Sequence, residues 1–111
     1  MTTYYLRIPD LASAHGEDER FSWHGQSPQD LAQAIERALR DGGFISGWRN
    51  AQAEPEALDD DLFAVDAAAR VSIEEKSRLA QAVVTTKLPH RLLAHRLNLL
   101  IGAHWKLEDV K

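Results

Sequence analysis

The stretch PHRLLAHRLNLLIGAHW, residues 89–105, constrains the fold more than any other. It reads as a helix that follows Pro89 and stops at Gly102. At about 100° per residue, with Arg91 as origin, His95 and Asn98 lie within about 40° while Leu92, Leu93, Leu97, Leu99, Leu100 and Ile101 fill an arc of about 200°. A helix resting on one face of a sheet needs only about 100° of apolar surface. This one must therefore be covered twice, once by a sheet and once by something else. That second cover is either Phe44 and Trp48 in FISGWRN, from inside the chain, or a second subunit or partner. Arg96 sharpens the question, because it falls among Leu92, Leu99 and Leu100, where a guanidinium needs a carboxylate or a route to solvent. The expectation is an interface lined by Leu92, Arg96 and Leu99, with Phe44 and Trp48 beside it, in a homodimer.

The other segments supply the sheet. TTYYLRIP alternates Tyr4, Leu6 and Ile8 against Tyr5 and Arg7, the period of a half-buried strand ended by Pro9. Phe21 and Trp23 alternate with Ser22 and His24, predicting a short second strand and a hairpin. SPQDLAQAIERALRDGG carries Ser27 as a cap, Pro28 at the first helical position and Gly42 as a stop, which predicts a helix over about 28–41. Leu31, Ala34, Ile35, Ala38 and Leu39 form its buried stripe. FISGWRN reads as a turn or brief helix.

Residues 50–69 hold six acids, one proline and no base among residues 51–69, so an irregular acidic connection is expected there. Val71 and Ile73, a polar EEKS turn, and Ala80, Ala82, Val84 and Thr86 predict a β-hairpin. Trp105 and Leu107 alternate as a last strand, with Trp105 buried against the Leu-rich helix. The order is that of an α+β, ferredoxin-like β-α-β-β-α-β sandwich with an extra N-terminal strand. An antiparallel sheet would carry two helices on one face.

A single domain is expected for 111 residues, of which 44% are hydrophobic and 27% charged. No cysteine is present, which excludes disulfides, thiolate metal sites and cysteine nucleophiles. No basic leader precedes an apolar run, and no stretch of about 18 apolar residues occurs, so the expected location is cytoplasmic with no membrane contact.

Metal ligation by the helical histidines fails on spacing. His90 and His95 are five residues apart and point about 140° away from each other, where a helical pair needs i and i+4. His104 lies beyond Gly102 with no carboxylate at ligand spacing. Asp59, Asp60 and Asp61 are consecutive with no glycine following, unlike a calcium loop. No metal and no cofactor are expected.

Three functional classes follow. The first is a non-catalytic interaction or regulatory protein, supported by the Leu-rich helix. The second is a nucleic-acid-binding regulator. Residues 1–69 carry thirteen acids against five bases, whereas residues 70–111 carry eight bases against four acids. Arg78, Lys87, Arg91, His95 and Lys106 would supply its phosphate contacts. The third is a small cofactor-free enzyme in which His24, Asp109 and Tyr4 or Tyr5 converge on one pocket. No GxSxG, HExxH or glycine-rich phosphate loop favours it.

Overall fold

The computed structural model describes residues 1–77 and 79–111 and shows an α+β chain with one four-stranded antiparallel sheet and three helices. Strands β1 (Thr2–Ile8), β2 (Arg70–Lys76), β3 (Leu79–Thr86) and β4 (Lys106–Val110) lie in the order β2-β3-β1-β4. Helices α1 (Pro28–Arg40) and α2 (Gly42–Asn50) fall between β1 and β2, and α3 (His90–Ile101) falls between β3 and β4.

Alternation decides which face of the sheet is covered. Tyr4, Leu6 and Ile8 of β1, Val71 and Ile73 of β2, and Ala80, Ala82 and Val84 of β3 are all buried. Leu31, Ile35 and Leu39 of α1 and Leu92, Leu93, Leu97 and Ile101 of α3 meet them in a single core. Beneath α3, Tyr4 donates its hydroxyl to the Leu88 carbonyl at 3.1 Å, so a buried polar tip keeps its partner.

Local chemistry fixes the helix ends. Ser27 accepts from the Asp30 amide at 3.0 Å, with Pro28 at the first position as expected. Asp41 then ends α1 and starts α2, its carboxylate accepting from the Gly43 amide at 2.8 Å. The expected turn or brief helix at FISGWRN is thus a nine-residue third helix. Gly102, at φ 63°, closes α3 in the left-handed region that glycine enters without penalty.

Several expectations are corrected. Residues 21–24 form no strand. The amides of Phe21 and Ser22 donate to the Asp18 carbonyl, and that of Trp23 donates to Leu100 at 2.8 Å. Trp23 is buried, with its indole N–H on Asp30. Two alternating aromatics here mark a loop that anchors one ring, so there is no extra N-terminal strand. Instead β1 lies inside the sheet, between β3 and β4.

The hairpin turn comes later than EEKS. Glu74, Glu75 and Lys76 pair with Gln81, Ala80 and Leu79, and Ser77 carries φ 60°. A tight hairpin connection favours such a positive φ at Ser77, and polar residues are tolerated on an edge strand whose side chains reach water.

Trp105 precedes β4 and is half-buried, its indole N–H donating to Asn98 Oδ1 at 2.9 Å. All five residues of β4 are exposed. The strand is outermost on its side of the sheet, and only Trp105, just before it, packs partly buried against the core.

The acidic connection contains 3-10 turns at Pro55–Ala57 and Asp60–Phe63. It also holds one buried anchor. Asp66 is 2% exposed and accepts from the Thr86 hydroxyl at 2.8 Å, the Lys87 amide at 2.9 Å and the Ala68 amide at 3.0 Å. These donors, the Lys87 amide first, hold its carboxyl below the usual range against the opposing effect of burial.

Candidate interaction surface

The second cover on α3 comes from the chain itself. Trp48 of α2 sets its ring edge-on to His95 with centroids 4.5 Å apart, and Phe63 lies beyond Trp48 at 6.3 Å. Arg96 is fully buried beneath this layer. Its guanidinium donates to the carbonyls of Ala38 at 3.0 Å, Leu62 at 2.9 Å and Ala64 at 2.6 Å. The expected carboxylate or solvent route is replaced by three backbone acceptors, which tie α1, the acidic connection and α3 together. Desolvation lowers the affinity of this guanidinium for its proton.

The interface expected at α3 is corrected accordingly. Leu92 and Arg96 are buried within the chain, while Leu99, Phe44 and Trp48 are half-buried. Most of the apolar arc is thus covered from within the chain, and Leu99 stays half-buried at a cleft beside Asn98 and Gly102.

The expected basic residues do not form one cluster. Arg91 is exposed on α3, and His95 is half-buried against Trp48, with burial and then Arg96 lowering its proton affinity. Lys87 follows β3, and Lys106 stands on β4. Arg78 lies outside the described residues.

The enzyme expectation fares no better. His24 bonds the Glu19 carbonyl at 3.1 Å and lines a cleft with His15 and Gln26, whereas Asp109 stands on β4 and Tyr4 is buried on the helix side. A larger cleft of about 440 Å³ runs beside Asp18, His95 and Asn98. Two of its polar groups are engaged, Asp18 by Arg20 at 2.7 Å and Asn98 by Trp105. Among the described residues no group of three or more His, Asp or Glu side chains converges to hold a metal.

What the fold leaves uncovered is the other face of the sheet. The register places Arg70, Thr85 and Thr3 in one row, Ser72, Val83, Tyr5 and Asp109 in the next, and Glu74, Gln81, Arg7 and Lys106 in a third. None of these residues is buried. Directly paired residues project to the same side, so the rows form one surface. Lys76 extends it through its pairing with Leu79, and Lys111 through reciprocal backbone bonds to Thr3 of 2.8 and 2.9 Å. Five cations thus face two carboxylates on a chain whose net charge is −4.

Arg7 and Lys106 stand directly opposite each other. Neither is in an ion pair among the described residues, and the Arg7 Nε is buried without a hydrogen-bond partner. Tyr5 occupies the middle row, with the Lys111 ammonium 5.5 Å from its ring centroid and 3.7 Å from Asp109.

Both edges of the sheet are blunted. Beside β2, Glu36 Oε2 accepts from the Val71 amide at 2.9 Å, and Arg40 donates to the Ala69 carbonyl at 2.6 Å while pairing with Glu36 at 3.4 Å. Strand β4 is five residues long and shifts register between Tyr5 and Leu6, and Asp109 Oδ1 accepts the Val110 amide at 2.8 Å. Charged side chains, irregularity and shortness are devices that keep another strand from adding to an edge.

Of this surface, the sequence singles out Lys106 as a phosphate contact, and Tyr5 and Asp109 only as members of a catalytic pocket with His24. The signal for Arg7 and Tyr5 was present as the polar phase of the β1 alternation, but it is silent about which strands lie alongside. Compared with family models, curated proteins and solved structures, the chain matches none.

Proposed function

We propose that the chain is a small, non-catalytic interaction module whose working surface is the open face of its sheet and whose partner is anionic. The observation that carries this reading is the unneutralised pair Arg7 and Lys106 on the only sheet face that no helix covers among the described residues. Cations held side by side cost stability, and an anion supplied from outside offsets that cost.

The same charge argues against a second copy meeting face to face, since two positive faces repel. The strand order, with β1-α1-β2 and β3-α3-β4 as interleaved crossovers, supports a ferredoxin-like plan to which α2 is an addition. The plan hosts many functions, so the surface and not the fold carries the proposal. A cytoplasmic setting accords with the lack of cysteine.

The test is retention on a heparin matrix at neutral pH and low salt. A chain of charge −4 has no bulk reason to be retained, so retention that is lost in the Arg7→Glu, Lys106→Glu double variant supports a local basic site. Passage of the parent chain through the column at low salt contradicts it.

A further inference from the structure

Resting on that reading, we infer that the anionic partner is a single-stranded nucleic acid, with Arg7 and Lys106 holding a phosphate and Tyr5 stacking a base. Three observations select it. The first is spacing. Neighbouring strands are about 4.8 Å apart, so the side chains of Arg7 and Lys106 reach one phosphate together. Tyr5, two residues along β1, lies about 7 Å from Arg7, a separation that one nucleotide spans from phosphate to base.

The second observation is the kind of surface. Tyr5, Val83, Thr3 and Thr85 form a half-buried centre with the cations Arg70, Lys106 and Lys111 around it. A flat aromatic ring inside a basic frame is what unstacked bases require, and four-stranded sheets present bases with such a platform. Lys111 lies over the Tyr5 ring, so a base stacking on that face takes the place of this exposed lysine. A duplex keeps its bases stacked on one another and offers a flat sheet only its phosphates.

The third is what the edges exclude. An acidic peptide binds a sheet chiefly by adding a strand at an edge, which gains main-chain hydrogen bonds. Glu36 occupies the Val71 amide and Arg40 the Ala69 carbonyl at the start of β2, and the register shift and Asp109 disturb β4. A peptide lying on the face would gain charge contacts only and leave Tyr5 unused.

The experiment is a fluorescence-anisotropy titration of the full chain with single strands of about 12 nucleotides, one of DNA and one of RNA, at several salt concentrations. The same DNA as a duplex and poly-glutamate of similar charge serve as competitors. The parent should bind at least one single strand better than duplex or poly-glutamate. With two to four phosphate contacts, log K should fall against log salt with a slope of about −1.5 to −3. Tyr5→Ala should weaken binding roughly fivefold to a hundredfold. Arg7→Gln should flatten the slope by about 0.7. Both side chains lie on the open face, so circular dichroism of the variants should match the parent, and Arg7→Gln, which relieves the like-charge pair, should melt no lower than the parent.

A preference of RNA over DNA would locate the ligand as RNA, and the reverse as DNA, each supporting the inference. Poly-glutamate binding as well as the single strands, with Tyr5→Ala unchanged, would overturn the inference and leave an anionic protein as partner. Absence of binding to every polyanion at low salt would overturn both this inference and the function on which it rests. A concentration-dependent dimer that buries the face, lost in Tyr5→Ala by sedimentation, would overturn both in favour of self-association.

Discussion

Arg7 on β1 and Lys106 on β4 are direct cross-strand neighbours on the uncovered sheet face, two cations with no anion paired to either among the described residues. Like charges placed so oppose folding, by about 0.2–1 kcal/mol. Lys106→Glu should therefore stabilise the chain by some tenths of a kcal/mol while weakening its retention on a polyanion. Urea melts and heparin elution measured on the same variant check both signs. A variant that loses stability would mean that the pair is neutralised within the chain.

Arg96 is the knot of the helical layer, with its guanidinium on the Ala38, Leu62 and Ala64 carbonyls. Arg96→Met keeps much of the volume but takes the donor from one buried acceptor, Ala38, and two part-buried ones, Leu62 and Ala64, an unpaired group costing about 1–3 kcal/mol where water cannot reach it. A loss of about 3 kcal/mol or more in urea unfolding is expected, a large share of a small domain's stability. A shift below about 1 kcal/mol would place Arg96 at solvent.

Asp66 links stability to pH. Its folded-state carboxyl titrates below its unfolded value of about 3.9, so its contribution is fully present above that value and is lost as pH falls through the lower folded one. In Asp66→Asn the acid-induced loss of stability below about pH 4 should be shallower. The variant should also be less stable at pH 7 by about 1–3 kcal/mol, because the amide cannot serve all three donors. Parallel acid profiles for parent and variant would show that Asp66 does not titrate with folding.

Ser27 caps α1 through the Asp30 amide at 3.0 Å. Ser27→Ala should cost about 1 kcal/mol, and Ser27→Gly less. An unmoved urea midpoint in Ser27→Ala would show that the first turn of α1 frays without cost.

What could be read beforehand was whatever short-range chemistry decides. Ser27, Pro28 and Gly102 announce helix ends by capping and φ preference, and the structure places those ends as expected, with α1 ending one residue early. The alternation of Tyr4, Leu6 and Ile8 likewise announces β1. Phe21 and Trp23 misled because two alternating residues look the same in a strand and in a loop that buries one ring. Arg96 misled in a more instructive way. A guanidinium in an apolar arc requires acceptors, but nothing local tells carboxylates of a partner from carbonyls dozens of residues away, such as those of Ala38 and Leu62. The open face was hidden for a similar reason, since Arg7 and Lys106 lie 99 positions apart and meet only through the sheet register.

The most direct test of the open sheet face as working surface is amide chemical-shift mapping of the labelled chain during titration with a single-stranded oligonucleotide at low salt. The largest changes should fall on Thr3, Tyr5, Arg7, Gln81, Val83, Thr85 and Lys106, with α3 unperturbed. Changes centred on Trp48, Arg91, His95 and Leu99 with a silent sheet would contradict the account and return the site to α3.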